Sequence, residues 1–232
     1  MTIRLTNILL ALLLFTNVAL AADPAAVTAI DILLEPDATM LQHAEANNAR
    51  LLAVFPRGFA LDAAHRPHIT LIQLFVRTAD LDQVYAAVEK VFALANVSAM
   101  KLEAFKYYYA PLSGTAGVAG ICAKPTPELL KLQANVIAAV APYKLETGPV
   151  SAFTAPMDDA ANAVFIQYIS TFVPKMSGEH FNPHVSIGVA PDTYLDKMLA
   201  EPFSSFTFSP AGAAVFQLGP YGTAAKKLME WN

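Results

Sequence analysis

The sequence predicts an α+β protein of two lobes packed as one unit, with helices on the outer faces. Three observations predict it. Apolar segments of strand character alternate, twice over, with segments of helical periodicity. Several strand-like segments follow one another at hairpin spacing. No Gly/Ser-rich or charged linker separates the halves.

Val27 to Leu34 reads as a strand. Asp37 to Val54 follows with helical spacing of Met40, Leu41, Ala44, Leu51 and Leu52, and Asp37 suits an N-cap. His68 to Val76 reads as a strand, and Asp80 starts a second helix through Leu81, Val84, Val88, Val91 and Phe92. Ala99–Ala110 and Thr115–Ala123 are strand-like, separated by Pro111-Leu112-Ser113-Gly114. Thr126-Pro127-Glu128 then supplies an N-cap and a proline at the first helical position, and that helix ends near Pro142. The β-branched and aromatic run Ala163 to Val173 is expected as a strand, as is His184 to Val189. Pro191-Asp192 opens a short helix through Tyr194, Leu195, Met198 and Leu199. Phe203–Ser209 and Ala213–Leu218 close the pattern as strands, Gly219–Gly222 as a turn, and Thr223–Trp231 as a short tail.

Residues 1–21 are expected to be a secretory signal peptide of bacterial type. Arg4 is a short basic region, Ile8–Phe15 is apolar, and Ala19-Leu20-Ala21 is a small-x-small cleavage site. The stretch is too short and wrongly flanked for a stable membrane anchor, so a periplasmic or secreted location is expected. Removing it takes away Arg4 and no acid, which moves the formal charge from −4 to −5. A mildly acidic chain lacks the basic field of a duplex-coating nucleic-acid binder, yet leaves room for a small phosphorylated ligand in a local site. Cys122 is the one cysteine, so an intramolecular disulfide is impossible, and its apolar neighbours read as core.

A pentad occurs twice: Pro67-His68-Ile69-Thr70-Leu71 and Pro183-His184-Val185-Ser186-Ile187. Residues i and i+2 of a strand share a face, so each copy offers an imidazole and a hydroxyl to one side of a sheet. Two of five histidines fall in this pattern, and core packing gives no reason to choose His over Val twice. Phosphodiester cleavage without a metal needs this set. One neutral imidazole takes a proton, one imidazolium gives a proton, and hydroxyls donate to the non-bridging oxygens.

With those residues in view, the chain resembles the two-histidine (2H) phosphoesterase superfamily, which includes 2′-5′ RNA ligase-like proteins and cyclic nucleotide phosphodiesterases. The resemblance rests on His68-Ile69-Thr70 and His184-Val185-Ser186, 116 positions apart, and on a tail, Phe216 to Thr223, that looks like the family's closing strand and turn. It spans about residues 27–228. It implies a bilobal, pseudo-symmetric fold in which two antiparallel-rich sheets form a central cleft, one motif per lobe. Residues 22–232 would form one such domain, its interleaved lobes falling near 22–124 and 125–232. The resemblance also implies His68 and His184 as the acid/base pair, Thr70 and Ser186 as phosphate holders, and no metal or cofactor. The substrate class would be a 2′,3′-cyclic phosphate, another cyclic phosphodiester or a 2′-5′ linked end. Acidity and the expected leader favour a small nucleotide-like phosphodiester met in the periplasm.

Further candidates for substrate contact are Tyr107 and Tyr109, which share a strand face and could stack on a base, Lys175, and Tyr221. Arg66 and Arg77 flank the first pentad strand as possible cations. Two other readings stay open at this point. His65, His68, His180 and His184, with Asp62 and Glu179 nearby, have spacings that can serve a metal-dependent hydrolase. Alternatively, a secreted two-lobed protein could bind a phosphorylated ligand without turnover. The sequence leaves open which histidine is acid and which is base.

Overall fold

The computed structural model describes residues 25–112, 114–155, 157 and 159–231, so the expected leader at 1–21 lies outside the described residues. Strands β1 (Val27–Pro36) and β2 (Ile69–Arg77) are joined through helix α1 (Ala38–Val54). Helix α2 (Leu81–Leu94), strands β3 (Leu102–Pro111) and β4 (Ala116–Ala123) and helix α3 (Pro127–Val140) follow. Then come α4 (Asp159–Ser170), α5 (Phe172–Met176), β5 (His184–Pro191) and α6 (Asp192–Leu199). Strands β6 (Phe206–Phe208), β7 (Pro210–Leu218) and β8 (Ala224–Trp231) end the chain.

Two four-stranded antiparallel sheets result, with strand orders β2-β1-β7-β8 and β5-β4-β3-β6. Both faces of β1 are covered, which is why it reads as a continuous apolar run rather than an alternation. The expected caps form. Asp37 accepts from the Met40 amide at 3.2 Å, and Thr126 accepts from the Leu129 amide at 3.2 Å with Pro127 at the first helical position. α1 ends at Phe55, the residue before Pro56, where helical backbone is disfavoured.

Three expectations need correction. Ala163–Val173 is helical, in α4 and α5. Its aromatic and β-branched content suits a strand, but Asn162, Ile169 and Phe172 are buried at helical spacing, and tertiary packing overrides propensity. Thr223–Trp231 is not a short tail, because Ala224–Trp231 forms edge strand β8. The sheets also do not follow the sequence halves at 22–124 and 125–232. The first sheet takes β1, β2, β7 and β8 from the two ends of the chain, and the second takes β3 to β6 from the middle.

The helices cross between sheets. α1 leaves the first sheet yet packs on β5 of the second, and α3 leaves the second yet packs on β2 of the first. α6 covers β3, β4 and β5. β2 and β5, each at the edge of its sheet, lie against one another. The two pentads are therefore brought together where the sheets meet.

Candidate active site

Each pentad enters its edge strand with a bulge at the same place. Leu33 pairs with Thr70 and Ile32 with Ile72, so Leu71 is the extra residue. Gly120 pairs with Ser186 and Ala119 with Gly188, so Ile187 is the extra residue. Both are the fifth pentad position, directly after the hydroxyl. A bulge bends the strand and re-aims its side chains. It also frees a carbonyl from the ladder, and each is taken by a buried amide on a covering helix. Gln133 of α3 donates to Leu71 O at 3.1 Å, and Asn48 of α1 donates to Ile187 O at 2.9 Å. Each amide also grips the loop that leads into the other pentad. Gln133 donates to Met176 O and accepts from the Gly178 amide, while Asn48 donates to Phe59 O and accepts from the Leu61 amide.

The histidines are held alike. His68 Nδ1 lies 2.6 Å from Arg66 O, and His184 Nδ1 lies 2.8 Å from Asn182 O. A carbonyl only accepts, so the tautomer is inferred from it: Nδ1 carries hydrogen and Nε2 is left with the lone pair of the neutral ring. The pentad prolines explain the hold. Each fixes the residue before it in extended backbone, which sets the accepting carbonyl two positions ahead of the ring.

Around His68 the site is polar. Asp31, on β1, is fully buried, and its Oδ2 lies 3.4 Å from His68 Nε2. The same oxygen accepts from Thr70 Oγ1 at 2.8 Å and from Gln73 Nε2 at 2.9 Å. Gln73 Nε2 also donates to Gly222 O at 3.2 Å, tying the Tyr221 turn to the cluster. Among the described residues, Asp31 Oδ1 and Gln73 Oε1 are buried without a hydrogen-bond partner. Burial works against a charged His68, but the hydrogen bond and charge of Asp31, helped by the Arg66 carbonyl and Glu35, raise its pKa above the ordinary histidine value. His184 goes the other way. Burial lowers its pKa, the Asn182 carbonyl opposes that, and the charge of His68 lowers it further.

Around His184 the site is aromatic and close-packed. The register aligns Tyr108 with Gly120 and Ser186, and Lys106 with Cys122 and His184. The Tyr108 ring lies 5.2 Å from the His184 ring. Cys122 is buried, which with the opposing effect of Lys106 still raises its thiol pKa, so the structural reading of this cysteine stands. Tyr168 reaches in from α4. Burial and the nearby charge of Asp31 raise its pKa, so its hydroxyl stays a proton donor.

The sequence-derived contacts fare unevenly. Tyr107 and Tyr109 share a face, but it is the helix-covered one. Tyr107 donates to Asn47 of α1 at 3.1 Å, and Tyr109 donates to Asp196 of α6 at 2.9 Å. Tyr108, one position out of that phase, is the tyrosine beside the histidine. Lys175 is exposed on α5. Tyr221 is half-exposed at positive φ, edge-on to Phe165 at 5.8 Å. Arg66 pairs with Glu35 and Arg77 with Asp80 at the surface. The four histidines of the metal reading do not gather. His65 pairs with Asp62 and stacks on Phe59, and His180 sits beside Glu179. Among the described residues no three His, Cys, Asp or Glu side chains group closely enough to hold a metal ion.

Sequence reasoning passed over Asp31, Gln73, Tyr108 and Tyr168. Asp31 and Gln73 carried a signal, since each is a polar residue inside an apolar strand run. Tyr108 sits inside a run of three tyrosines, and the run does not say which parity faces the cleft. Tyr168 lay in the segment expected to be a strand, and nothing in its pattern points to the cleft.

A family model described as the 2′-5′ RNA ligase superfamily matches residues 43–215, which include both pentads. No curated protein matches in sequence. Among solved structures, TT0787 of Thermus thermophilus is 17% identical with a TM-score of 0.53, over 88% of this chain and 97% of that one. Usb1 of Kluyveromyces marxianus, solved with uridine monophosphate, is 12% identical with a TM-score of 0.44, over 86% and 97%. E. coli LigT, solved with phosphate, is 11% identical with a TM-score of 0.39, over 89% and 98%. At such identities the likeness is one of fold, and TT0787 carries it. The family match across both pentads, on a fold of two antiparallel sheets, shows that the chain belongs to the 2′-5′ RNA ligase superfamily, the two-histidine phosphoesterases.

Proposed function

We propose that the protein is a metal-independent phosphodiesterase that hydrolyses a small cyclic phosphodiester, a 2′,3′-cyclic nucleotide or a 2′-5′ linked end, using His68 and His184 as the acid/base pair. One observation carries this reading. Both imidazoles are anchored through Nδ1 to the carbonyl two residues back, which leaves both Nε2 atoms for chemistry at the meeting of β2 and β5. One histidine takes a proton from the attacking water, and the other gives a proton to the leaving oxygen. Ser186 and Thr70 hold the non-bridging oxygens. Thr70 first has to turn its hydroxyl away from Asp31, so Ser186 is the readier donor. A small substrate fits the acidic balance of the chain. The leader read at 1–21 supports a periplasmic setting for the reaction.

The test uses the mature protein from Ala22, incubated with 2′,3′-cyclic nucleotides in EDTA. Product from the parent is expected, with each of His68→Ala and His184→Ala slower by about 10²–10⁴-fold. Wild-type rates in both variants, or activity that EDTA abolishes, would overturn the reading.

A further inference from the structure

The two pentads are near-copies, yet their surroundings are not. The registers make Thr70 equivalent to Ser186, Leu71 to Ile187 and Gln73 to Val189. On the adjoining strands they make Leu33 equivalent to Gly120, and Asp31 to Val118. The polar pair Asp31–Gln73 beside His68 thus has an apolar pair, Val118–Val189, as its counterpart beside His184. The repeat keeps the reacting groups and changes the charge next to one of them.

We propose that Asp31 is the positioning residue that divides the work between the histidines, holding His68 as the imidazolium that serves as general acid and leaving His184 as the neutral general base. The inference rests on the two-histidine reading above and says which ring does what.

Three features support it. Asp31 is completely buried, and a carboxylate there needs an opposite charge. The groups that face it are His68 from just before β2, Thr70 and Gln73 from β2, Tyr168 from α4, and His184 from across the cleft. His68 is the one that can become a cation within ion-pair distance of it. Glu35, the other acid felt by His68, is already paired with Arg66 and Lys227. Next, Thr70 and Gln73 both aim donors at Oδ2, which fixes that oxygen in place beside the His68 ring. Finally, the separation of 3.4 Å from Nε2 is longer than an ordinary N–H···O bond, so the proton is held by charge and can still pass to a substrate oxygen.

The step then balances. His184 Nε2 takes a proton from water as the water oxygen bonds to phosphorus. The bond from phosphorus to the leaving oxygen breaks, and His68 Nε2–H gives that oxygen its proton. One water is consumed and the diester becomes a monoester with a free hydroxyl. His184 ends charged and His68 neutral, and exchange with solvent resets both.

The deciding measurement is an NMR titration of the histidine Cε1 resonances, assigned with His68→Gln and His184→Gln. His68 should titrate above free histidine and His184 below it. In Asp31→Asn the His68 midpoint should fall. The rate profile should follow, with its alkaline limb moving to lower pH. On an aryl phosphodiester, whose leaving group needs no proton, Asp31→Asn and His68→Gln should recover most of their loss and His184→Gln should not. A His68 that titrates at or below free histidine overturns the proposal, and so does one unmoved by Asp31→Asn. If Asp31→Asn does not fold, the wild-type titration still decides. Because the titration needs no substrate, absence of turnover would overturn the functional reading without deciding this one.

Discussion

Gly120 lacks a side chain where His184 needs the room. A Cβ there would meet His184 Cδ2 at 3.3 Å and Val185 O at 3.3 Å. The backbone oxygen cannot yield easily, so the imidazole must. We therefore expect Gly120→Ala to lower kcat on the order of tenfold, since small misplacements of a reacting group are costly. Thermal stability should move far less than the rate, and a wild-type rate in a folded Gly120→Ala would show that this contact does not aim the ring. At this scale the sequence was legible in its repeats and illegible in its phase. His68, Thr70, His184 and Ser186 stand out because they recur. Tyr108 was lost to its neighbours Tyr107 and Tyr109, because a run of three tyrosines does not say which parity faces the cleft. The pH dependence belongs here as well. In the proposed division of roles His68 acts charged and its pKa is raised, so rate should be lost as pH climbs through it. In the same proposal His184 acts neutral and its pKa is lowered, so rate should be lost as pH falls through it. The shifts widen the bell around neutrality rather than narrow it.

The bulges at Leu71 and Ile187 turn two ordinary edge strands into a paired site, and the amides of Gln133 and Asn48 hold them. Gln133→Leu would strip partners from Leu71 O, Met176 O and the Gly178 amide at once. Unmet buried groups cost about 1–3 kcal/mol each, though part of that is recovered by water and relaxation. A loss on the order of 3 kcal/mol, or roughly 6–12 °C in Tm, is expected. Asn48→Leu should behave similarly from the other side. Differential scanning calorimetry checks both, and a change within about 1 °C would mean the bulges hold without these amides. Elements were legible where caps and spacing agreed, as at Asp37 and Thr126. They were illegible where propensity and packing conflict, as in α4, where Phe165, Ile166 and Ile169 carry strand-like chemistry on a helix. β8 was hidden for another reason. It is an edge strand studded with Lys226, Lys227 and Glu230, and such charges deter edge-to-edge pairing while erasing the alternation that marks a strand.

At the scale of the whole molecule, the chain weaves the sheets together. It leaves the first sheet after β2, builds the second with β3 to β6, and returns for β7 and β8. Helices α1 and α3 each pack on the sheet they did not come from. Neither sheet can form while the other part of the chain is free, because each needs a helix or strands reached only through its partner. Unfolding should therefore be a single cooperative event despite the two-lobed shape. The sequence supplies one tryptophan and one cysteine, and they fall in different sheets. Trp231 lies on β8 of the first sheet, its ring 5.4 Å from Phe92. Cys122 is buried on β4 of the second. Tryptophan fluorescence and thiol labelling across a urea series thus read the two sheets separately in the unmodified protein. Coincident midpoints and slopes are expected. A thiol that becomes reactive well before the fluorescence changes would mean that the second sheet opens alone, which would break the joint placement of His68 and His184 on which the proposed chemistry depends.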